Sequence, residues 1–580
     1  MRQHDLSKLV IASLLWAMFF PMESSLRAQT QVLADQLGYR PSDPKLAFVR
    51  GMTGKIFEVV DVTTNKSVYH GTIKSIGKND ESTGDVVFTL DFSQLRAPGA
   101  YRIWLPEASA TSPEFRIGTD VYDSAFLASL QSFYSQRCGI EVSDGSIFKH
   151  SPCHLHDAVF FNDPSKSKDV VGGWHDAGDY GKFVPTGTVS AAFLLYLYDL
   201  QPEKFVDGQT NIPEKSNKVP DLLDEVRWEL WWLLKMQRED GGVYHKVSKP
   251  RWNGEYLPDE ETDARYIFDV SSSSTGDFAA VTALGARLLK SWDAAFSRQL
   301  LGASLQAWRF LAAHPTAVPE GGFKNPQGVE GGEYGDQNDE DERLWAAVEL
   351  YRSTGNLEYH RYFLSNYKKA GGFYLPVSWE GVQNFAYWSY LRIPQASSDR
   401  EARSFVLSTL KNYMEHLLGR IEKNGYRYVL ANGEYYWGSN SVALGYAFDM
   451  IQAYEVTEQS KYLYAALDQL HYMLGRNTFD MSFVTGVGSN PVSYPYHQFS
   501  IVLHAGKPVP GLVAGGANKF SSLQGKVISE FPGKCYEDNP KNYYVNEVAI
   551  NYTAPFVFVS GYLSKLKRDI GMNFPSSARR

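Results

Sequence analysis

Cysteine is scarce in this sequence: 580 residues contain three, Cys138, Cys153 and Cys535, and an odd number excludes a fully paired intrachain framework. Nor does one sign of charge dominate. Fifty-seven basic against 65 acidic side chains leave a formal charge of −8, which offers nucleic acid no basic face and a membrane surface no cationic patch. Beyond the N-terminal segment no apolar run approaches the roughly 18–20 residues of a membrane-crossing helix, so no span is expected in the mature chain. Coiled-coil heptads, a fixed short repeat, a phosphate-cradling glycine loop and a Ser-His-Asp elbow are also missing, and no organic cofactor is expected.

What is present begins with an export signal. Arg2 and Lys8 flank the start of LVIASLLWAMFF (9–20), an apolar run of secretory length, and a cut after Ala28 makes residues 1–28 a signal peptide. No cysteine follows the run, so no lipid anchor is expected there. The mature protein is then periplasmic, on the cell surface or extracellular in a bacterium. Aromatic residues are abundant, with 13 Trp and 36 Tyr. Their flat apolar faces and polar edges suit sugar rings, and a large helical core would absorb them equally well.

Residues 30–118 hold short β-branched and aromatic runs, such as KLAFVRG, DVVFTLDF and GAYRIWLP, between turn residues. This pattern predicts a small antiparallel β-sandwich. It carries no titratable cluster and is expected to be a structural module. From 120 to 570 the period becomes helical, with about twelve segments whose apolar residues fall at i, i+3, i+4 and i+7. Twelve such segments separated by long Gly-rich and aromatic loops predict six helical hairpins closed into an all-α barrel behind the sandwich.

The chemistry concentrates at two places. GGWHDAGDYGKF (172–183) sets Asp176 and Asp179 three residues apart among glycines, beside Trp174 and Phe183. A solvated Asp/Gly turn has a similar composition, but the aromatic company and a distant second acidic site favour function. That site is YYVNEVAINYTAPFVF (543–558), where Glu547 is a lone carboxylate in an apolar, amide-rich run. A partly buried carboxyl has a raised pKa and serves as a general acid near neutrality; a helix-start Glu held by backbone amides is the alternative. One carboxyl to protonate a leaving oxygen and another to attack or to activate water are the equipment for cleaving a glycosidic bond. Two neighbouring aspartates also make sense if one is the base and the other holds the attacking water.

LADQLGY (33–39), GGWHDAGDYGKF, YYWGSNSVAL, LGRNTFDMSFVTGVG and NEVAINYTAP together resemble the family 9 glycoside hydrolases, in the subgroup with an N-terminal immunoglobulin-like domain. The resemblance runs from about 30 to 567. It implies an (α/α)6 barrel and inverting hydrolysis of β-1,4-glucans, with Asp179 as base, Asp176 as its water-positioning partner and Glu547 as acid; separately, a monomer is expected. It also implies sugar contacts from Trp437 and Tyr552, and acid and base carboxyls about 6.5–9.5 Å apart. One motif departs. Where the family has Pro, His, any residue, Arg, this sequence has PYHQ (495–498), so Tyr496 and Gln498 replace the His and Arg, unless a loop slip brings His497 into the role. Loss of a bidentate Arg puts cellulose specificity in doubt, without touching the hydrolytic groups.

Cys138 and Cys153 are either a disulfide or, with His154 and His175, a closed tetrahedral zinc site. The resemblance favours structural zinc, since related enzymes use the matching positions for it. GDQNDEDERLW (335–345) is an oxygen-rich loop in which Asp341 and Glu342 match a family calcium site, though acids at a helix start look the same. The acidic run PDEETDAR (258–265) is expected to be a solvated loop, and Cys535 an unpaired thiol. The expected activity is endo-hydrolysis of cellulose-like, mixed-linkage or xyloglucan chains. An exo-acting cellodextrinase or glucosaminidase and a glycan-binding protein without catalysis are the alternatives.

Overall fold

The computed structural model describes residues 30–566, apart from 52–53, 75, 252–253, 505 and 524–525. The expected signal peptide, Trp252 and the chain after 566 lie outside the described residues.

The N-terminal unit is a pair of sheets. Strands Gln31–Leu33, Leu46–Arg50, Val86–Asp91 and Lys78–Asn79 form one in that spatial order. Gly38–Tyr39, Phe115–Ile117, Gly99–Leu105, Ile56–Asp61 and Lys66–Thr72 form the other. All of these pairs are antiparallel except that of Phe115–Ile117 with Gly38–Tyr39, which is parallel. Alternate side chains of both sheets, among them Val49, Leu90, Phe57, Ile103 and Phe115, close a separate apolar core.

The helical unit starts with α1 (Asp123–Ser135), α2 (Val184–Leu200), α3 (Asp221–Met236), α4 (Ser272–Leu289), α5 (Ala294–Ala313) and α6 (Glu340–Thr354). It continues with α7 (Leu357–Asn366), α8 (Gln383–Leu391), α9 (Arg400–Lys423), α10 (Ser439–Thr457) and α11 (Ser460–Met473). Two short helices, α12 (Gln498–His504) and α13 (Tyr543–Asn546), sit in a long excursion before α14 (Ile550–Leu563). Helices α2, α4, α6, α8, α10 and α14 pack each against the next, and α14 returns to α2, so the inner ring is closed. The remaining long helices lie outside it as the first members of six hairpins. The inner helices α2, α8, α10 and α14 are buried on almost every face and apolar nearly all round, whereas the outer α5, α7 and α9 bury only a stripe. Among the described residues no helix is long and apolar enough to cross a membrane.

The loops preceding α2, α6, α10 and α14 carry residues 172–183, 323–339, 431–438 and 543–549. They meet at the end of the ring where those inner helices begin.

Candidate active site and metal centres

The 172–183 loop is pressed against its neighbours by missing side chains. A Cβ on Gly178 would come within 2.4 Å of the Tyr496 carbonyl oxygen, and one on Gly173, whose φ is +75°, within 2.6 Å of the Trp232 ring. The Asp176 carbonyl accepts the amide of Ile550 at 2.7 Å, the Gly178 carbonyl accepts that of Gln498 at 2.8 Å, and the Tyr496 amide donates to Asn546 O at 2.9 Å. Three distant segments are thereby tied into one site holding Asp176, Asp179, Tyr496 and Glu547.

Asp176 is 1% exposed. Its Oδ1 accepts from Thr186 Oγ1 and its Oδ2 from Tyr334 OH at 2.9 Å. Burial pushes its pKa up to about 6 against those two donors. Asp179, 8% exposed, is pushed up to about 7 by burial first and then by the charges of Asp176 and Glu261. Glu547 is raised well above the usual carboxylate range, again by burial and then by Asp179 and Asp176, while the Gly178 amide and the Trp437 indole oppose the rise. Three carboxyls in mutual electrostatic reach titrate as a set. The one held highest keeps its proton when the others have lost theirs, which is the division of labour an acid and a base require.

The surroundings are aromatic. Trp437, 42% exposed, packs its ring 5.8 Å from Tyr543 and 5.2 Å from Tyr544, and Tyr496 lies 5.9 Å from Tyr543. Tyr552 is buried, with its phenol in the field of Glu547 and Asp176. In the departing motif the structure separates the candidates. Gln498 Nε2 donates to Tyr496 OH at 3.3 Å, and Gln498 Oε1 is buried with no partner among the described residues. His497 is 1% exposed, with Nδ1 on Ser500 Oγ at 2.7 Å and Nε2 on Gln136 Oε1 at 2.9 Å. Gln136 in turn donates to the carbonyls of His175 and Ala177. This corrects the expectation of a sugar contact from His497: both ring nitrogens are engaged within the protein, and the ring props the loop from beneath.

Tyr334 and Thr186 were not legible as site residues. Tyr334 lies in a Gly-rich loop, at φ +45°, and touches Asp176 only because α6 follows α4 around the ring. Trp388 is core, with Nε1 donating to Asp449 at 2.7 Å.

Cys138, Cys153, His154 and His175 each offer a ligand atom within 4.8 Å of the others. The cysteines are free thiols rather than a disulfide, and two sulfurs with two imidazoles suit tetrahedral zinc. The expectation of a solvated 258–265 loop holds for Asp259, Glu260, Thr262, Asp263 and Ala264, which are exposed, and fails at Glu261 and Arg265. The Glu261 side chain is 1% exposed, with Oε2 on His154 Nε2 at 3.0 Å, and it pairs with Arg265 and Lys249. Lys249 and Arg265 are its neighbours in sequence, whereas His154 comes from a segment 107 residues away.

A second group joins Asp336, Asp341 and Glu342 within 4.8 Å. Asp277 on α4 raises the proton affinity of Glu342, and both oxygens of each of these two buried carboxyls lack a hydrogen-bond partner among the described residues. Orphaned buried carboxylates at this density fit a hard dication such as calcium. Helix-start acids alone would be satisfied by backbone amides. A separate hollow of about 310 Å³, lined by Phe161, Phe268, Phe323 and Arg238 among others, contains none of the three site carboxylates.

Comparison with known proteins gives the arrangement its context. Residues 122–560 match the family model described as glycosyl hydrolase family 9, and 27–110 match the cellulase N-terminal ig-like domain. Endoglucanase D of Acetivibrio thermocellus is 30% identical over 92% of this chain and 84% of its own length. A cellodextrinase of Butyrivibrio fibrisolvens is 32% identical over 92% of this chain and its whole length. The crystal structure of a metagenome-derived glycoside hydrolase family 9 endoglucanase superposes with a TM-score of 0.87 at 37% identity, covering 93% of this chain and 99% of that one. With its sandwich, its closed double ring of helices and both of its domains matched, the chain belongs to glycosyl hydrolase family 9, the family of β-1,4-glucan hydrolases.

Proposed function

We propose that the protein is an exported, monomeric, endo-acting glycosidase that cleaves β-1,4-glucosidic bonds with inversion. The observation that carries this reading is the buried Glu547, its proton affinity raised by desolvation and then by the charges of Asp179 and Asp176, gathered with those two aspartates into one site. Glu547 donates its proton to the departing glycosidic oxygen. Asp179, with no side-chain donor committed to it among the described hydrogen bonds, takes a proton from the attacking water. Asp176, fixed by Thr186 and Tyr334, orients that water. Trp437 and Tyr552 contact sugar rings, and Tyr496 with Gln498 takes the place of the family's His and Arg.

Cys138, Cys153, His154 and His175 would hold a structural zinc, which supplies a fixed crosslink under the loop bearing Asp176 and Asp179. Asp341 and Glu342, with Asp336 and Asp277 beside them, would hold calcium. The division into a signal at 1–28, a sandwich at 30–118 and a barrel at 120–570 belongs to the same reading.

The test is a product profile on carboxymethylcellulose, mixed-linkage glucan, xyloglucan and chitosan oligosaccharides, with the fresh anomer read by NMR. A rapid fall in chain length with an initial α-anomer is expected, and the preferred polymer reports what Tyr496 and Gln498 select. Release of mono- or disaccharides alone would make it an exo-enzyme, and no product at all would leave a glycan-binding protein. Glu547→Gln should abolish turnover of natural glucans while leaving binding intact, and Asp179→Asn should remove base catalysis.

A further inference from the structure

The acidic segment after residue 254 touches both the cysteine/histidine cluster and the catalytic loop. A carboxylate only accepts, so the His154 nitrogen 3.0 Å from Glu261 Oε2 carries a proton, and in the neutral ring a metal ligand requires, Nδ1 is the lone pair. That lone pair faces His175 Nε2 at 3.3 Å and Cys138 Sγ at 3.6 Å. Glu261 is itself clamped, by Lys249 at 2.8 Å and Arg265 at 2.9 Å. Arg265 reaches Asp157 at 2.8 Å, Asp157 pairs with Lys182 at 2.9 Å, and Lys182 Nζ donates to Cys138 Sγ at 3.5 Å. A chain of buried charges thus leaves the cluster at His154 and re-enters it at Cys138.

The same segment also packs on the catalytic loop. Tyr180, next to Asp179, donates its hydroxyl to Tyr256 O at 2.6 Å. Tyr256 and Leu257 pack on an apolar cluster of Tyr180, Phe148, Phe499 and Val548, the last adjoining Glu547.

We propose that Glu261 is a positioning residue that fixes His154 as a metal ligand and, through it, keys residues 254–265 to the loop carrying Asp179. This rests on the zinc reading above. A carboxylate behind a ligating imidazole holds its tautomer and orientation, and losing one typically costs 10- to 100-fold in metal affinity. Here it has a second consequence: when the clamp loosens, Tyr256 and Leu257 no longer hold Tyr180, and the loop at Asp179 gains freedom.

The experiment compares wild type with Glu261→Gln and Glu261→Asp. Zinc content is measured first, then zinc release to a chromogenic chelator, then kcat and KM on a soluble cello-oligosaccharide. Wild type should carry one zinc per chain. Glu261→Gln should release it about 10- to 100-fold faster, with kcat lowered more than KM is raised, because the loosened loop carries the base Asp179. Glu261→Asp, which keeps the charge on Lys249 and Arg265 paired, should fold even where the amide variant does not and should release zinc at an intermediate rate. Wild type without zinc would overturn the metal reading and the inference with it. Zinc-replete wild type and variants that release at the same rate would overturn the inference alone. Faster release with unchanged kcat would refute the link to the 254–265 segment.

Discussion

At the scale of single residues the site is a balance of desolvation against donors. Asp179 stands at about 7 because it is buried, and Asp176 adds to the rise. Replacing Asp176 with Asn removes that neighbouring charge, so the acid limb of the residual activity should move to lower pH than in wild type, whose limb reports the Asp176 and Asp179 set. An unmoved limb in kcat/KM against pH would disconnect the two aspartates. The same carboxyls cost stability. Each has a folded pKa above its unfolded one, so their protonated forms favour the native state at acid pH. That advantage is lost as pH rises from about 4 through about 6 for Asp176 and about 7 for Asp179. Glu547 behaves likewise, over a window that starts at the ordinary carboxylate range and runs well above it. Glu547→Gln should therefore raise Tm at pH 8 and leave it nearly unchanged at pH 4, a comparison calorimetry makes directly. Asp176, Asp179 and Glu547 were legible in the sequence because their residue types sit in unusual company. Tyr334, Thr186 and Glu261 were not, because an isolated Tyr, a helical Thr and one acid among four in a run carry no local signal.

At the scale of elements, helices were legible and their order around the ring was not. Apolar periodicity marks α1 or α9 readily, but α10 and α14 are apolar on every face, and only their packing shows that they line the inside. The short strands Lys182–Phe183 and Lys246–Ser248 escaped notice, being too brief for alternation to register, yet their antiparallel pairing fixes the exit of the catalytic loop. The loop itself depends on Gly178. Since an added Cβ would meet the Tyr496 carbonyl at 2.4 Å, Gly178→Ala should displace Asp179 while the barrel persists. A shift near 1 Å is worth about 100-fold in turnover. Circular dichroism and Tm close to wild type with a large loss of kcat is the expected pair of results, and full activity would show that the Tyr496 strand yields instead.

For the whole molecule the question is how firmly the sandwich is attached to the barrel, since it contributes no side chain to the site carboxyls described above. The units meet through apolar packing, with Leu33, Phe48 and Val87 of the sandwich joining the barrel core, and through a set of polar contacts. Asp35 Oδ2 meets His471 Nδ1 at 2.8 Å, and Asp80 Oδ2 accepts the Gly425 amide at 2.9 Å. Asp85, on the sandwich, gathers Lys534 Nζ and Tyr426 OH, each at 2.7 Å, and Thr478 Oγ1 at 2.8 Å. These barrel-side donors outweigh the desolvation that would raise its pKa, and the carboxyl is held below its ordinary value. A lowered pKa means that its stabilising effect is present at neutral pH and fades as pH falls below the ordinary carboxylate range. None of this was readable from sequence, because 341 residues separate Asp85 from Tyr426 and neither belongs to a motif. Asp85→Ala leaves Lys534, Tyr426 and Thr478 facing a gap, a loss of about 1–3 kcal/mol by the cost of unsatisfied buried partners. If the interface joins the two units into one cooperative structure, calorimetry of this variant at pH 7 should show the single wild-type transition resolving into two, the sandwich melting first. At a pH far enough below the ordinary carboxylate range for Asp85 to lose its charge in the native protein, the difference between variant and wild type should shrink. A variant that melts in one transition at the wild-type temperature at both pH values would mean that the apolar contacts of the interface, not this carboxylate, hold the units together.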